Sequence, residues 1–254
     1  LRRFQTQHGL EPDGVAGRET LAALNVPVRA RIDQLRANLE RLRWLARDLR
    51  GDSLLVDVAG FDAELWLDGR LAWTTRVIVG RPYRRTPEFR AELQRIVLNP
   101  EWHVPPTILR EDVLPKVAKD RGYLAQHRMR VVDARGAPVD AAQVDWAAAA
   151  AAPQAFPHRI VQASGADNSL GRIKFEFPNP HSVYLHDTPA RELFARAARA
   201  YSSGCIRVEE PLRLAELVLD DPANWSQSQL QQAIDSGRTQ VLPVRRALPV
   251  MLVY

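Results

Sequence analysis

The chain is poor in sulfur and lacks any long apolar run. Its 254 residues include one cysteine, Cys205, and two methionines. A lone cysteine excludes a disulfide framework or a cysteine-built metal centre within the chain. No uninterrupted apolar stretch approaches the ~20 residues that cross a bilayer, so no membrane span is expected. Basic runs are missing, as are basic helices interleaved with stacking aromatics and the zinc-finger, RRM and helix-turn-helix patterns. Nucleic acid is therefore not expected as a partner. His8 and His103 have no motif partner, and His127 and His158 are separated by charged and turn residues. Neither a metal site nor a cofactor is expected.

What remains is an ordinary globular composition, 46% hydrophobic and 26% charged. The 35 basic against 30 acidic residues leave a net charge of +5, which suits an anionic partner without identifying one. The sequence opens at Leu1 in a helical pattern without an initiator methionine and stops at Tyr254 in a strand pattern. It is expected to be an internal fragment, for which a missing signal peptide says nothing about compartment.

Periodicity divides the chain into four parts. Residues 1–27 read as two short helices round a Gly9-Leu10-Glu11-Pro12-Asp13-Gly14 loop, too few to bury a core alone. Residues 28–50 contain an amphipathic helix over Arg31–Leu49, with Ile32, Leu35, Leu39, Leu42, Ala46 and Leu49 on one face. That pattern predicts a connecting or scaffold helix packed against the next domain. From Leu54 the period becomes two, and Asp68-Gly69 between alternating runs signals a hairpin. Residues 104–163 break the strand pattern with helical stretches and the alanine tract Ala147–Ala152. An insertion of that length between strands is usually functional or flexible.

Cys205 sits in Ser202-Ser203-Gly204-Cys205, a small-residue turn whose backbone N–H groups can converge beside the sulfur as an oxyanion hole requires. A thiol attacks carbonyls as thiolate, so it needs a base or a positive field nearby. His186, after the alternating Val183-Tyr184-Leu185, and Arg207 are the local candidates. The apolar run after Pro211 predicts a helix whose N-terminus lies just beyond the cysteine and adds partial positive charge. Plainer readings stay open: Cys205 as a small core residue, His186 as a sheet-edge residue, Arg207 salt-bridged to Glu209 or Glu210.

His186 followed by Ser203-Gly204-Cys205-Ile206-Arg207, with nineteen positions from the histidine to the cysteine, resembles the active-site motif of YkuD-type L,D-transpeptidases. The commonest form of that motif has histidine at Ser203 and glycine at Asp187, and the departures match a large periplasmic subgroup. Phe4-Gln5 through Leu24-Asn25 resembles part of a small three-helix peptidoglycan-binding domain. Asn99-Pro100-Glu101-Trp102 resembles the subgroup's element in which the tryptophan approaches the cleft; a loop anchor is the alternative for Trp102. The resemblance implies an α+β fold, a mainly antiparallel β-sandwich catalytic domain over 51–254 with a lid inserted at 104–163 and a small N-terminal helical module. It implies Cys205 as nucleophile and His186 as base, Ser203 and Gly204 as oxyanion turn, and Arg207, Tyr184 and Trp102 as substrate contacts. The implied partners are peptidoglycan stem peptides, a donor tetrapeptide and an acceptor, with carbapenem-type β-lactams as inhibitors and the periplasm as location. Hydrolysis at the same site and a non-catalytic wall-binding module are the competing readings.

Overall fold

The computed structural model describes residues 1–45 and 51–254. At the N-terminus α1 (Arg2–Gln7) and α2 (Arg18–Leu24) are joined by a loop tied to one buried side chain. Gln5 donates to Asp13, the Val15 carbonyl and Thr20, and accepts from the Gly14 N–H. The third helix, α3 (Val28–Leu45), differs from expectation. None of its residues is buried, and Ile32, Leu35, Leu39 and Leu42 of its apolar stripe stay exposed. Its hydrogen bond to the following domain runs from Arg41 Nη1 to the Tyr254 carbonyl, 3.1 Å. Ala46 and Leu49, expected on the same face, lie outside the described residues.

Sheet begins with β1 (Ser53–Asp57), β2 (Asp62–Leu67), β3 (Arg70–Gly80) and β4 (Phe89–Leu98). Asp68 and Gly69 take φ values of 52° and 70°, the pair of positive angles that a two-residue hairpin of this twist demands. The inserted region then supplies β5 (Trp102–His103), α4 (Pro106–Ile108), a π-helical turn over Leu109–Val113, α5 (Leu114–Lys119) and α6 (Tyr123–Gln126). It continues with β6 (Met129–Val132), β7 (Pro138–Val139), α7 (Trp146–Ala151) and β8 (Arg159–Gln162). The alanine tract forms α7 because Asp145 accepts from the Ala148 N–H at 3.0 Å and caps a run of strong helix formers. Strands β5, β8, β6 and β7 make a small sheet of their own. Leu114, Val117, Val131, Trp146 and Ile160 give it a separate apolar core.

The main sheet resumes with β9 (Ile173–Glu176), β10 (Leu185–His186), β11 (Ala200–Ser202) and β12 (Ile206–Val208). Helices α8 (Pro211–Leu219), α9 (Pro222–Trp225) and α10 (Gln227–Asp235) precede β13 (Gln240–Val253). The break between α9 and α10 falls at Ser226, whose side chain and that of Gln229 form a reciprocal capping box. The strand order is β11-β3-β12-β10-β9-β4-β13-β1-β2, and β2 also pairs with β3. Strand β3 is long enough to bond β2 through Arg76 and then β12 and β11 through its last four residues. The sheet thus folds back on itself round one core that includes Leu65, Ile96, Phe175, Leu185, Ile206 and Val250. Most pairings are antiparallel; β1 with β13, β10 with β12 and β11 with β3 are parallel. The α+β, mainly antiparallel architecture agrees with expectation.

Strand β3 ends at Gly80, where an added Cβ would strike backbone: the Arg84 carbonyl, the Thr86 nitrogen at 2.6 Å and the Arg85 carbonyl carbon at 2.9 Å. Backbone cannot rotate away as a side chain can. Gly80→Ala is expected to lower unfolding free energy by about 1–3 kcal/mol, the usual cost of overpacking. Urea denaturation checks this, the expected sign being a lower midpoint at unchanged slope.

Candidate active site

Residues 185 and 206 face the core, and their strands run parallel with Leu185 opposite Ile206 and His186 opposite Arg207. On the other side Leu185 pairs with Phe175 and His186 with Lys174. Since successive side chains alternate, Lys174, His186 and Arg207 form one row across three strands on the face away from that core. Cys205 stands one residue before β12, where the Ile206 N–H donates to the Tyr184 carbonyl at 3.0 Å. The cysteine is therefore beside Tyr184 and diagonal to His186. Sγ lies 3.9 Å from the Ser182 carbonyl and close to the Tyr184 backbone, and among the described residues no hydrogen bond joins it to the imidazole. Free enzymes often hold such pairs apart until substrate binds.

The imidazole is fixed at Nδ1, which lies 2.5 Å from the Asp187 carbonyl. A carbonyl only accepts, so Nδ1 carries the proton and Nε2 is left with the lone pair a base needs. His186 is 4% exposed. Burial, then the adjacent Arg207 and Lys174 charges, push its pKa down to about 3. Burial raises the Cys205 thiol, against the opposing pull of the Tyr184 backbone, Lys174 and Arg207. Both groups are consequently neutral near pH 7, and the resting site is a thiol and imidazole, not a thiolate–imidazolium pair.

The turn before the sulfur is pinned at several points. Ser202 Oγ donates to the Cys205 carbonyl at 2.5 Å and accepts from the Gly204 N–H at 3.1 Å. Gly204 has φ of +118°, and its carbonyl accepts from the buried Thr86 hydroxyl at 2.9 Å. With the Gly204 N–H engaged, the backbone donors of Ser203 and Cys205 have no protein acceptor among the described residues. The Ser203 hydroxyl receives Arg84 Nη1 at 2.9 Å. The helix expected after Pro211 is present as α8, but its N-terminus does not adjoin the cysteine, because Ile206–Val208 forms strand β12 between them, held by β10 and β3. A helix dipole therefore does not account for activation of this thiol.

Arg207 forms no salt bridge to Glu209 or Glu210. Arg76 takes Glu209, and Trp73 Nε1 donates to Glu210 at 3.1 Å. The Arg207 Nε is buried and bonded to nothing, and desolvation lowers the guanidinium pKa. Tyr184 is half-buried with the Lys174 ammonium 3.9 Å over its ring, and Lys174 is also 2.6 Å from Glu176. Trp102 stands elsewhere: it pairs with Gln162 on β8 and packs against the inserted core. No hydrogen bond or ring contact joins it to Tyr184, His186 or Cys205 among the described residues. Sequence reasoning passed over Gly80–Pro87 as a plain loop, yet it supplies Thr86 and Arg84 to the cysteine turn. The only signal was its density of arginine and proline. Among the described residues no group of three or more His, Cys, Asp or Glu is arranged to hold a metal, and no helix is long and apolar enough to cross a membrane.

Comparison with known proteins places the chain in a family. A family model described as "L,D-transpeptidase catalytic domain" (YkuD) matches residues 51–241, and one described as "Putative peptidoglycan binding domain" matches residues 1–24. A curated Haemophilus influenzae protein named "Putative L,D-transpeptidase" is 38% identical over 221 residues, covering 87% of this chain and 44% of its own length. The chain thus spans less than half of that relative. Among solved structures, L,D-transpeptidase 3 from Mycobacterium tuberculosis with a faropenem-derived adduct aligns at 11% identity and a TM-score of 0.40, over 80% of this chain and 60% of its own. The E. faecium L,D-transpeptidase catalytic domain acylated by ertapenem aligns at 11% and 0.36, over 80% and 97%. Likeness at that level supports no residue-by-residue comparison.

Two pH effects follow from the neutral pair. The folded-state pKa of His186, about 3, lies below the unfolded value of 6.5, so between them the unfolded chain binds the extra proton. Stability is full above pH 6.5 and falls with acidification by at most about 1.4 kcal/mol per pH unit. His186→Gln is expected to flatten that slope in urea titrations at pH 6.5, 5.5 and 4.5. Alkylation of Cys205 by iodoacetamide is expected to climb with pH through and beyond ~8.5, the ordinary thiol range, without the acid-side plateau of an ion pair.

Proposed function

Because this chain belongs to the YkuD family of L,D-transpeptidases, we propose that it transfers a peptidoglycan stem acyl group from a donor tetrapeptide to an acceptor amine through a thioester on Cys205. The observation that carries this reading is the parallel pairing that sets the cysteine turn beside the strand of His186, with two unengaged backbone N–H groups next to the sulfur. In the first step Nε2 of His186 takes the thiol proton as Sγ adds to the carbonyl of the third stem residue. The N–H groups of Ser203 and Cys205 receive the developing oxyanion. Collapse breaks the bond to the terminal D-alanine, whose amine leaves with the proton from the imidazolium.

The second step runs in reverse order. An acceptor amine adds to the thioester, His186 takes its proton, and the thiolate departs to be reprotonated. Neither step calls for a metal or cofactor. The unpaired Arg207 and the half-buried Tyr184 are the proposed donor contacts, and Trp102 is proposed to reach substrate from the inserted region. Residues 104–163 serve as a lid in this reading, residues 51–254 as the catalytic domain and 1–27 as a partial wall-binding module joined through 28–50. The same acyl-forming geometry makes carbapenem-type β-lactams the expected inhibitors and the periplasm the expected place of action.

The test is incubation with a disaccharide-tetrapeptide and mass analysis of the products. A dimer lacking one D-alanine is expected from the wild type and none from Cys205→Ala; His186→Ala is expected to lower the rate by ~10²–10⁴. Tripeptide alone would assign hydrolysis instead, and unchanged substrate would sink the enzyme reading. A carbapenem adduct on Cys205, visible as a mass increase of the intact protein, is the expected companion result.

A further inference from the structure

The inserted region and the cysteine turn belong to different packing units, with separate apolar cores. One side chain is bonded to both. Arg84, in the loop after β3, places Nη1 2.5 Å from Asp112 Oδ2 and 2.9 Å from Ser203 Oγ. Its Nη2 is 2.6 Å from Glu111 Oε2 and 3.3 Å from Asp112 Oδ1. Glu111 and Asp112 lie in the π-helical turn of the insertion, a rare geometry that often marks functional positions. The Arg84 side chain is only 12% exposed, so its charge depends on those two carboxylates; a buried guanidinium without them is costly. Bidentate contact with a carboxylate fixes the plane of the fork, which makes its direction specific.

We propose that Arg84 is a positioning residue that couples seating of the inserted region, through Glu111 and Asp112, to the geometry of the Ser203–Cys205 oxyanion turn. The remaining anchors of the turn, the Ser202 and Thr86 hydroxyls, come from the main-sheet unit and hold whether or not the insertion is seated. Ser203 alone is held by a side chain whose orientation the insertion sets. When Glu111 and Asp112 withdraw, the guanidinium loses its fixed plane and the Ser203 segment loses its tether. The backbone donor of Ser203 then spreads over several directions, and a donor aimed at the oxyanion is worth rate only where it is held in place. Chemistry is thereby favoured in the state with the insertion seated.

This inference rests on the acyl-transfer reading above. Its test uses the intact chain with Arg84→Gln, Asp112→Asn, their double variant and Arg84→Lys. Three quantities are measured: the saturating rate of Cys205 acylation by a carbapenem, the rate of Cys205 alkylation by iodoacetamide, and amide hydrogen exchange over residues 104–163. Alkylation needs thiolate but no oxyanion donor, so it separates loss of the turn from loss of the fold. Arg84→Gln and Asp112→Asn are each expected to slow acylation ~10–100-fold, with the double variant no worse than the more damaged single. Alkylation is expected to stay within ~2-fold, exchange in 104–163 to rise in both singles, and Arg84→Lys to give no rescue because an ammonium cannot form the fork. Losses that multiply in the double variant, alkylation falling in parallel with acylation, or full activity in Arg84→Gln would each overturn the coupling. A wild type that reacts with iodoacetamide but acylates with neither carbapenem nor tetrapeptide would defeat the acyl-transfer reading itself, and the coupling with it.

Discussion

Parallel pairing of β10 with β12 is the interaction on which the site depends. Parallel neighbours cannot be joined by a tight turn, so the chain between His186 and Cys205 must leave the sheet and return on the same side. That crossover is anchored by Arg199, 9% exposed, which donates to the Val77, Phe61 and Arg196 carbonyls. It returns through β11, which lies along the end of β3. The nineteen positions from His186 to Cys205 are thus the span of a tethered crossover.

The same register explains the electrostatics. His186 stands between Lys174 and Arg207 because its neighbours on both sides place cations on one face. The Lys174 charge is shared with Glu176 and the Tyr184 ring, and Glu176 is shared in turn with Arg95. Among the described residues Arg207 forms no ion pair and its Nε has no hydrogen bond; Glu192 partly offsets its charge and Arg81 adds to the positive field. An imidazolium formed in this field is a strong acid. It gives its proton back readily, as the proposed protonation of a departing amine requires. In the proposed reaction, the low basicity of His186 at rest is offset by the negative charge that would develop on the substrate oxygen and sulfur.

Local patterns made the hairpin at Asp68-Gly69, the alternating strands and the small-residue turn legible, since each is set by neighbours in sequence. Non-local contacts decided the rest. Ile206-Arg207-Val208 is too short to declare its own state; pairing with β10 and β3 makes it a strand that separates the cysteine from the helix that does begin at Pro211. The stripe of α3 has the heptad-like spacing of a packed helix, but spacing reports an apolar face and not what covers it. Arg84 carries no motif at all. Its part in the site depends on the insertion folding round its own core and delivering two carboxylates to a loop more than twenty residues upstream.

The two departures from the commonest motif are both accommodated by specific neighbours. Serine at 203 offers the Arg84 guanidinium a hydroxyl that accepts from Nη1 at 2.9 Å. At 187 the backbone carbonyl holds the His186 ring, while the carboxylate accepts from the Arg172 N–H at 2.8 Å and from Arg191 at 3.1 Å. A glycine would leave that carbonyl on a freer backbone; the aspartate ties it to two residues outside the strand. The aspartate in turn requires glycine at 171, where φ is +62° and an added Cβ would lie 2.6 Å from the Asp187 Cβ. Residues 171 and 187 therefore act as a pair, in which one gives up its side chain so that the other can anchor the backbone that holds the His186 ring.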